Sequence, residues 1–311
     1  MQGLEPSIWI DGRLVPRSQA CVSVFDASFQ SGDSVWEGLR AYRGTVFRFS
    51  EHLQRLRESA TAVEIELPDA AVLEGAVYSA LDANGLHDDC HIRLIVSRGM
   101  RRTSGMDPRN VVSGPTIVVI PELKPVASDR TPQHLATVSV RRPSPSTLDP
   151  SIHHSNQLNS ILARLAAYRA GADAALMLDT DGFVAEADTA TVFAVSRGEV
   201  VTPPLGMFVR GITRGIVLQL ARQLGYACEE RRIPLAELYA ASEAFLTGTI
   251  CELAPVGWVD GRTIGNGAMG PICKQLLEAY HDVIRNEIDA RGAHTETAAL
   301  RGGRPEGGKG G

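Results

Sequence analysis

The chain has 311 residues, 44% of them hydrophobic and 22% charged, enough apolar material for one large domain or two modest ones with buried cores. A net charge of −5 and a pI near 5.9 leave no basic footprint for nucleic acid or an anionic membrane, so a small molecule is the expected partner. No apolar run of about 18 residues and no basic leader occurs, and Cys21, Cys90, Cys228, Cys251 and Cys273 are too scattered for a disulfide framework; both features predict a cytoplasmic protein with reduced thiols.

In chain order, SIWIDGRL (7–14) reads as strand, Asp-Gly turn and strand, a hairpin pattern. The stretch SVFDASFQSGDSVWEGLRAYRGTVFRF alternates apolar runs with glycine turns and closes in a second hairpin, AYRGTVFRF. From Ser50 the period changes: Ser50 is expected to cap a helix with an apolar face at Leu53, Leu56 and Ala60, and a second helix is expected over 69–84. HIRLIVSRG and GPTIVVIPEL read as strands flanking an arginine-rich loop, MRRTSGMDPRN. The Pro, Ser and Asp of ELKPVASDRTPQ suit a linker, dividing the chain into a small N-terminal α/β domain (1–122), a linker (123–134) and a larger C-terminal domain (135–290). That second part offers a strand LATVSVRR, a helix over 156–171, strands AALMLD, FVAEA, TVFAVS and EVVTP, and helices over 213–225 and about 270–290. Residues 291–311, polar and rich in glycine, read as a disordered tail.

Several stretches could carry chemistry. RGITRG (210–215) places a turn at a helix N-terminus, where free N–H groups favour an anion such as phosphate, and LTGTICE (246–252) is a second Thr/Gly turn able to do the same. FVAEADTATVF sets Glu186 among apolar strand residues, where a carboxylate needs either a protonated heteroaromatic nitrogen or an arginine. SIHHSNQLNSILA (151–163) opens on His153 and His154; adjacent residues seldom ligate one ion and no Cys/His cluster accompanies them, so no metal is expected.

Taken in order, VFDASFQSGDSVWEGLRAYRGTVFRFSEHLQRLRESA, IRLIVSRG, RRPSPSTLDPSIHHSNQLNSILA, GFVAEADTATVF, RGITR and FLTGTICELAPVGWVDGRTIG closely resemble the class IV aminotransferases. These are the fold type IV enzymes of pyridoxal 5′-phosphate (PLP), and the nearest likeness is to the branched-chain amino acid aminotransferases, with D-amino acid aminotransferase as a cousin. The resemblance implies a two-domain α/β fold with the cofactor pocket between the domains, and a homodimer. It implies that Arg55, Ile212, Thr213 and Thr249 hold the cofactor phosphate. It also implies that Glu186 faces the pyridine nitrogen and keeps the ring an electron sink.

One position departs from the pattern. Anchored on Asn156, Leu158 and Asn159, the family's Schiff-base lysine falls on His153, and a tyrosine that contacts the cofactor's phenolic oxygen in relatives falls on Gln157. Only three of the 31 basic residues are lysines (Lys124, Lys274 and Lys309), and none lies near this stretch. Histidine forms no stable imine, but with an ordinary pKa of ~6.5 it can move a proton. Four readings stay open: PLP bound non-covalently with His153 as acid or base; a PLP-free reaction in the same pocket; a non-catalytic pseudoenzyme dimer; or an ordinary branched-chain transaminase whose register has been misread. The expected substrate is an amino acid or its 2-oxo acid, with Arg40, Arg98, Arg101 and Arg102 as candidates for its carboxylate. Gln30, where relatives often put a pocket aromatic, would make the pocket more polar.

Overall fold

The computed structural model describes residues 5–126 and 129–302, with side chains up to 290. Its elements are β1 (Ser7–Ile10), β2 (Arg13–Pro16), α1 (Ala27–Ser31), β3 (Ser34–Tyr42), β4 (Thr45–Val46), α2 (Phe49–Ala62), α3 (Ala70–Ala83), β5 (Cys90–Ser97) and β6 (Ile117–Leu123). There follow β7 (Gln133–Thr137), α4 (Leu158–Arg169), β8 (Ala174–Leu178), β9 (Val184–Ala187), β10 (Thr191–Ser196), β11 (Glu199–Thr202) and α5 (Ile212–Gln223). The last are β12 (Cys228–Glu230), α6 (Leu235–Tyr239), β13 (Glu243–Gly248), β14 (Glu252–Val259), β15 (Arg262–Thr263) and α7 (Pro271–Gly302).

The first sheet runs β2-β1-β6-β5-β3-β4 and every pair in it is antiparallel. Both predicted hairpins form, because Asp11-Gly12 and Arg43-Gly44 each place two successive residues at positive φ, the twist that matches paired strands. Alternation then sends Val35, Leu39 and Ala41 of β3 and Ile92, Leu94 and Val96 of β5 into one core with Leu53, Leu56 and Ala60 of α2 and Leu73, Val77 and Leu81 of α3. Each such Leu, Ile or Val contributes about 1.5–3 kcal/mol by leaving water.

The second sheet runs β12-β11-β10-β13-β14-β7-β8-β9, with β15 beside β14; the β11/β12, β14/β7 and β7/β8 pairs are parallel and the rest antiparallel. α5 and α7 cover Phe193, Val195, Phe245 and Leu253, while α4 packs Ala163 and Ala167 onto Ala175 and Met177 of β8.

Four expectations shift. Ser50 is not a cap: α2 starts at Phe49 behind Arg48, whose left-handed backbone (φ 52°) turns the chain out of β4 without a capping side chain. The strand LATVSVRR ends early, at Thr137, because Asp260 takes that residue's N–H and hydroxyl. α4 begins at Leu158 rather than Asn156, since the residues before it pair with β3. α7 passes Ala290 and runs to Gly302, through HTETAALR, a stretch with neither Gly nor Pro; residues 303–311 lie outside the described part. Among the described residues no helix is long and apolar enough to cross a membrane.

Candidate active site

The site is built on β3. Its Glu37 shares the parity of Val35, Leu39 and Ala41, so the strand drives a carboxylate with 0% exposure towards α2. There His52, Arg55 and Ser59, spaced three and four residues apart on one helix face, meet it. Arg55 binds Glu37 with both prongs, Nε to Oε1 at 2.8 Å and Nη2 to Oε2 at 2.6 Å, and His52 Nδ1 lies 2.6 Å from Oε2.

The segment before α4 is laid along β3 as a short extra strand. Trp36 N–H donates to the His153 carbonyl (3.0 Å), Ser155 N–H donates to the Ser34 carbonyl (2.9 Å), and Val35 and His154 form an antiparallel bridge. His153 N–H donates to Ser59 Oγ (3.0 Å), its Nδ1 lies 3.2 Å from Glu37 Oε1, and its ring packs on Trp36 at 4.1 Å between centroids. The ring's Nε2 has no hydrogen-bond partner among the described residues. His154 joins none of this: its carbonyl accepts from the Trp36 indole and the Gln157 amide, and its own Nδ1 is buried without a partner.

Charge states follow from the surroundings. Burial pushes Glu37 upward, but Arg55 and His153 more than offset this and hold it well below the usual carboxylate range. Burial lowers His153 below its ordinary value, with Glu37 opposing and Arg55 assisting, so a neutral imidazole stands beside a carboxylate.

The anion-binding candidates adjoin this cluster. Arg55 Nη1 donates to the Arg210 carbonyl (2.9 Å), two residues before α5, whose first-turn N–H groups at Ile212 and Thr213 have no side-chain cap. Gly211 packs so near β10 that a Cβ there would lie 3.4 Å from Thr191 Oγ1. Thr191 pairs with Thr247, whose buried hydroxyl is unpartnered and which leads through Gly248 into the Thr249 turn. Glu186 is one tight turn away, closed by Ala187 N–H to the Ala190 carbonyl. Its Oε1 lies 2.7 Å from Arg142 Nε, an ion pair without hydrogen-bond alignment, and burial raises its pKa to about 7 despite Arg142. Of the two partners left open for Glu186, arginine is therefore present.

Two of the four arginines expected near a substrate are taken up by an aspartate. Arg98 and Arg101 both bind Asp33, at 2.8 and 3.0 Å, while Arg102 is exposed. Arg40 is 1% exposed, bound to Asp89 at 3.2 Å with its Nε and Nη1 unpartnered, and Gln30 donates to the Val24 carbonyl. Among the described residues no group of three or more His, Cys, Asp or Glu side chains is arranged to hold a metal ion. Sequence reading passed over Glu37, His52, Ser59, Trp36 and Arg142; the acid at a core parity of β3 and the polar spacing on α2 were the available signals.

The buried carboxylate of Glu37 thus stands among Arg55, His52 and His153, beside the uncapped start of α5. The amino-transferase class IV family matches residues 34–258, and the chain belongs to it. It is 44% identical over 88% of its length to the branched-chain-amino-acid aminotransferase-like protein 2 of Arabidopsis thaliana, of which it spans only 49%. It is 33% identical to the branched-chain-amino-acid aminotransferase of Pseudomonas aeruginosa, across 94% of this chain and 96% of that one. It superposes with a TM-score of 0.82 and 34% identity on the branched-chain aminotransferase of the thermophilic archaeon Thermoproteus uzoniensis, solved with norvaline, covering 88% of this chain and 93% of that one. The architecture is that of the fold type IV aminotransferases.

Proposed function

We propose that this chain binds PLP without a covalent tether and acts on an amino acid or its 2-oxo acid, with His153 as the acid–base group where relatives carry lysine. The supporting observation is that Arg55, the phosphate candidate, and His153, the acid–base candidate, meet on one carboxylate, Glu37.

The residues fit the cofactor at two ends. The uncapped start of α5 and the buried unpartnered Thr247 hydroxyl suit a phosphate, together with Arg55 and Thr249. Glu186, with one oxygen at Arg142 and a pKa raised to about 7, suits a shared proton with a pyridine nitrogen. When bound, PLP would supply an electron sink for charge developing at the substrate Cα. His153 Nε2 takes that Cα proton and returns it, while Nδ1 stays on Glu37; Trp36 fixes the ring plane, and Ser59 and β3 fix the backbone. We further propose that the two sheets core the two expected domains and that the chain forms a homodimer through α4, whose Leu158, Ile161, Leu162 and Leu165 are exposed.

One observation favours a second reading, a pocket that works without PLP: Arg55 spends Nε, Nη1 and Nη2 on protein acceptors. Titration of the purified protein with PLP separates the two. Saturable uptake of PLP in equilibrium dialysis, with no peptide fixed by borohydride, fits the first reading; no binding at all excludes it.

A further inference from the structure

Glu37 is placed to do more than balance Arg55. Four nitrogens face its two oxygens: Arg55 Nε and His153 Nδ1 at Oε1 (2.8 and 3.2 Å), Arg55 Nη2 and His52 Nδ1 at Oε2 (2.6 Å each). An arginine-paired, fully buried carboxylate is ionised, and an ionised carboxylate can only accept. A neutral imidazole carries one N–H, and the nitrogen that faces such an acceptor must hold it.

We propose that Glu37 is the positioning residue that fixes His153 as the Nδ1–H tautomer, leaving the Nε2 lone pair as the proton acceptor of the site. The inference rests on the acid–base reading of His153 given above. Three other contacts make the assignment a matter of orientation as well as tautomer: the Ser59 hydroxyl on the His153 N–H, the Trp36 N–H on its carbonyl, and the indole face against the ring. With the backbone and ring plane held, a half-turn of the imidazole would trade the Glu37 bond for a carbon facing a buried anion. Proton transfer then balances simply: Nε2 gains the Cα proton, the imidazolium so formed has Nδ1–H already on Glu37, and the return of that proton restores the starting state. Arg55 keeps Glu37 from taking the proton itself.

The test uses the full chain without cofactor, labelled with ¹⁵N-histidine, with His153 assigned by its loss in His153→Gln. Expected at neutral pH is a protonated Nδ1 and an unprotonated Nε2, and in Glu37→Gln a shift of population towards Nε2–H. Glu37→Asp, which keeps the acceptor, is expected to retain the Nδ1–H form. An Nε2–H ring in the unaltered chain overturns the proposal whether or not the variants fold, as does a Glu37→Gln protein with an unchanged tautomer. Loss of an orienting carboxylate is expected to lower His153-dependent turnover by about 10–100-fold with little change in KM. Because the tautomer is read without turnover, an Nδ1–H ring in a chain whose turnover ignores His153→Ala would sink the acid–base reading alone, and His153-dependent turnover with an Nε2–H ring would sink this one alone.

Discussion

Arg55 and Glu37 form a two-pronged buried pair, 2.8 Å from Nε to Oε1 and 2.6 Å from Nη2 to Oε2, in which the carboxylate has no solvent of its own. Removing one partner of such a pair leaves an uncompensated charge in a low-dielectric site. Arg55→Ala is therefore expected to destabilise the fold by roughly 3–5 kcal/mol in urea unfolding. Adding Glu37→Gln to that variant should regain part of the loss, because no bare carboxylate then remains. An Arg55→Ala protein as stable as the parent would show that His52 and His153 suffice to hold Glu37.

His91 gives a pH dependence with a definite sign. It is buried on β5 with both ring nitrogens unpartnered, and burial, reinforced by Lys124, pushes its pKa from 6.5 down to about 4. Above pH 6.5 folded and unfolded chains are both neutral at this ring; as pH falls from 6.5 to about 4 only the unfolded chain gains the proton, so stability drops through that window. The slope approaches about 1.4 kcal/mol per pH unit for one proton. Glu186, raised to about 7, has the opposite sign, its stabilising protonation being lost as pH climbs through 7. Comparing the parent with His91→Gln isolates the histidine: the difference in unfolding free energy should change across pH 6.5 to 4 and be flat above it.

Arg142 is expected to control the protonation of Glu186. Burial raises that carboxyl to about 7 and Arg142 pulls it back, so Arg142→Gln should push it higher and leave a neutral acid at pH 7. Infrared carboxyl bands of the parent and variant, with Glu186→Gln to assign the signal, check this. An ionised Glu186 in Arg142→Gln would mean that some other group carries the compensation.

The exposed face of α4 makes a prediction about assembly. Ile161 and Leu165 are 53% and 43% exposed and lie four residues apart, on one side of the helix. Sedimentation should find a dimer for the parent and a monomer for Ile161→Glu combined with Leu165→Glu. A dimer that survives both charges would place the interface elsewhere.

Much of the frame was legible because its causes are local. Asp11-Gly12 and Arg43-Gly44 carry the hairpins in their own backbone preferences, and the spacing of Leu53, Leu56 and Ala60 shows the core face of α2. The start of α2 was misplaced because Arg48 turns the chain in a left-handed conformation that few side chains adopt, and Ser50 offered a cap that was not needed. β14 escaped notice because Pro255 and Gly257 interrupt its pattern, and the sheet absorbs them with a bulge between Val256 and Trp258. The functional groups divide in the same way. His153 and Glu186 are visible in short motifs, whereas Arg142 meeting Glu186 and His153 meeting Glu37 join residues far apart in the chain. Such pairs arise only when the strands are assembled.

If His153 is the group on which acid–base chemistry turns, His153→Ala should lower turnover by about 10²–10⁴-fold while the fold and PLP affinity persist. Parent and His153→Lys, each incubated with PLP, reduced with borohydride and mapped by peptide mass, show whether residue 153 stands where a tether would form. Acid–base chemistry on His153 without a lysine tether predicts a cofactor fixed to the peptide carrying residue 153 in the variant and none in the parent. A parent already fixed at Lys124, Lys274 or Lys309, or a variant that binds PLP yet cannot be fixed at 153, would contradict it.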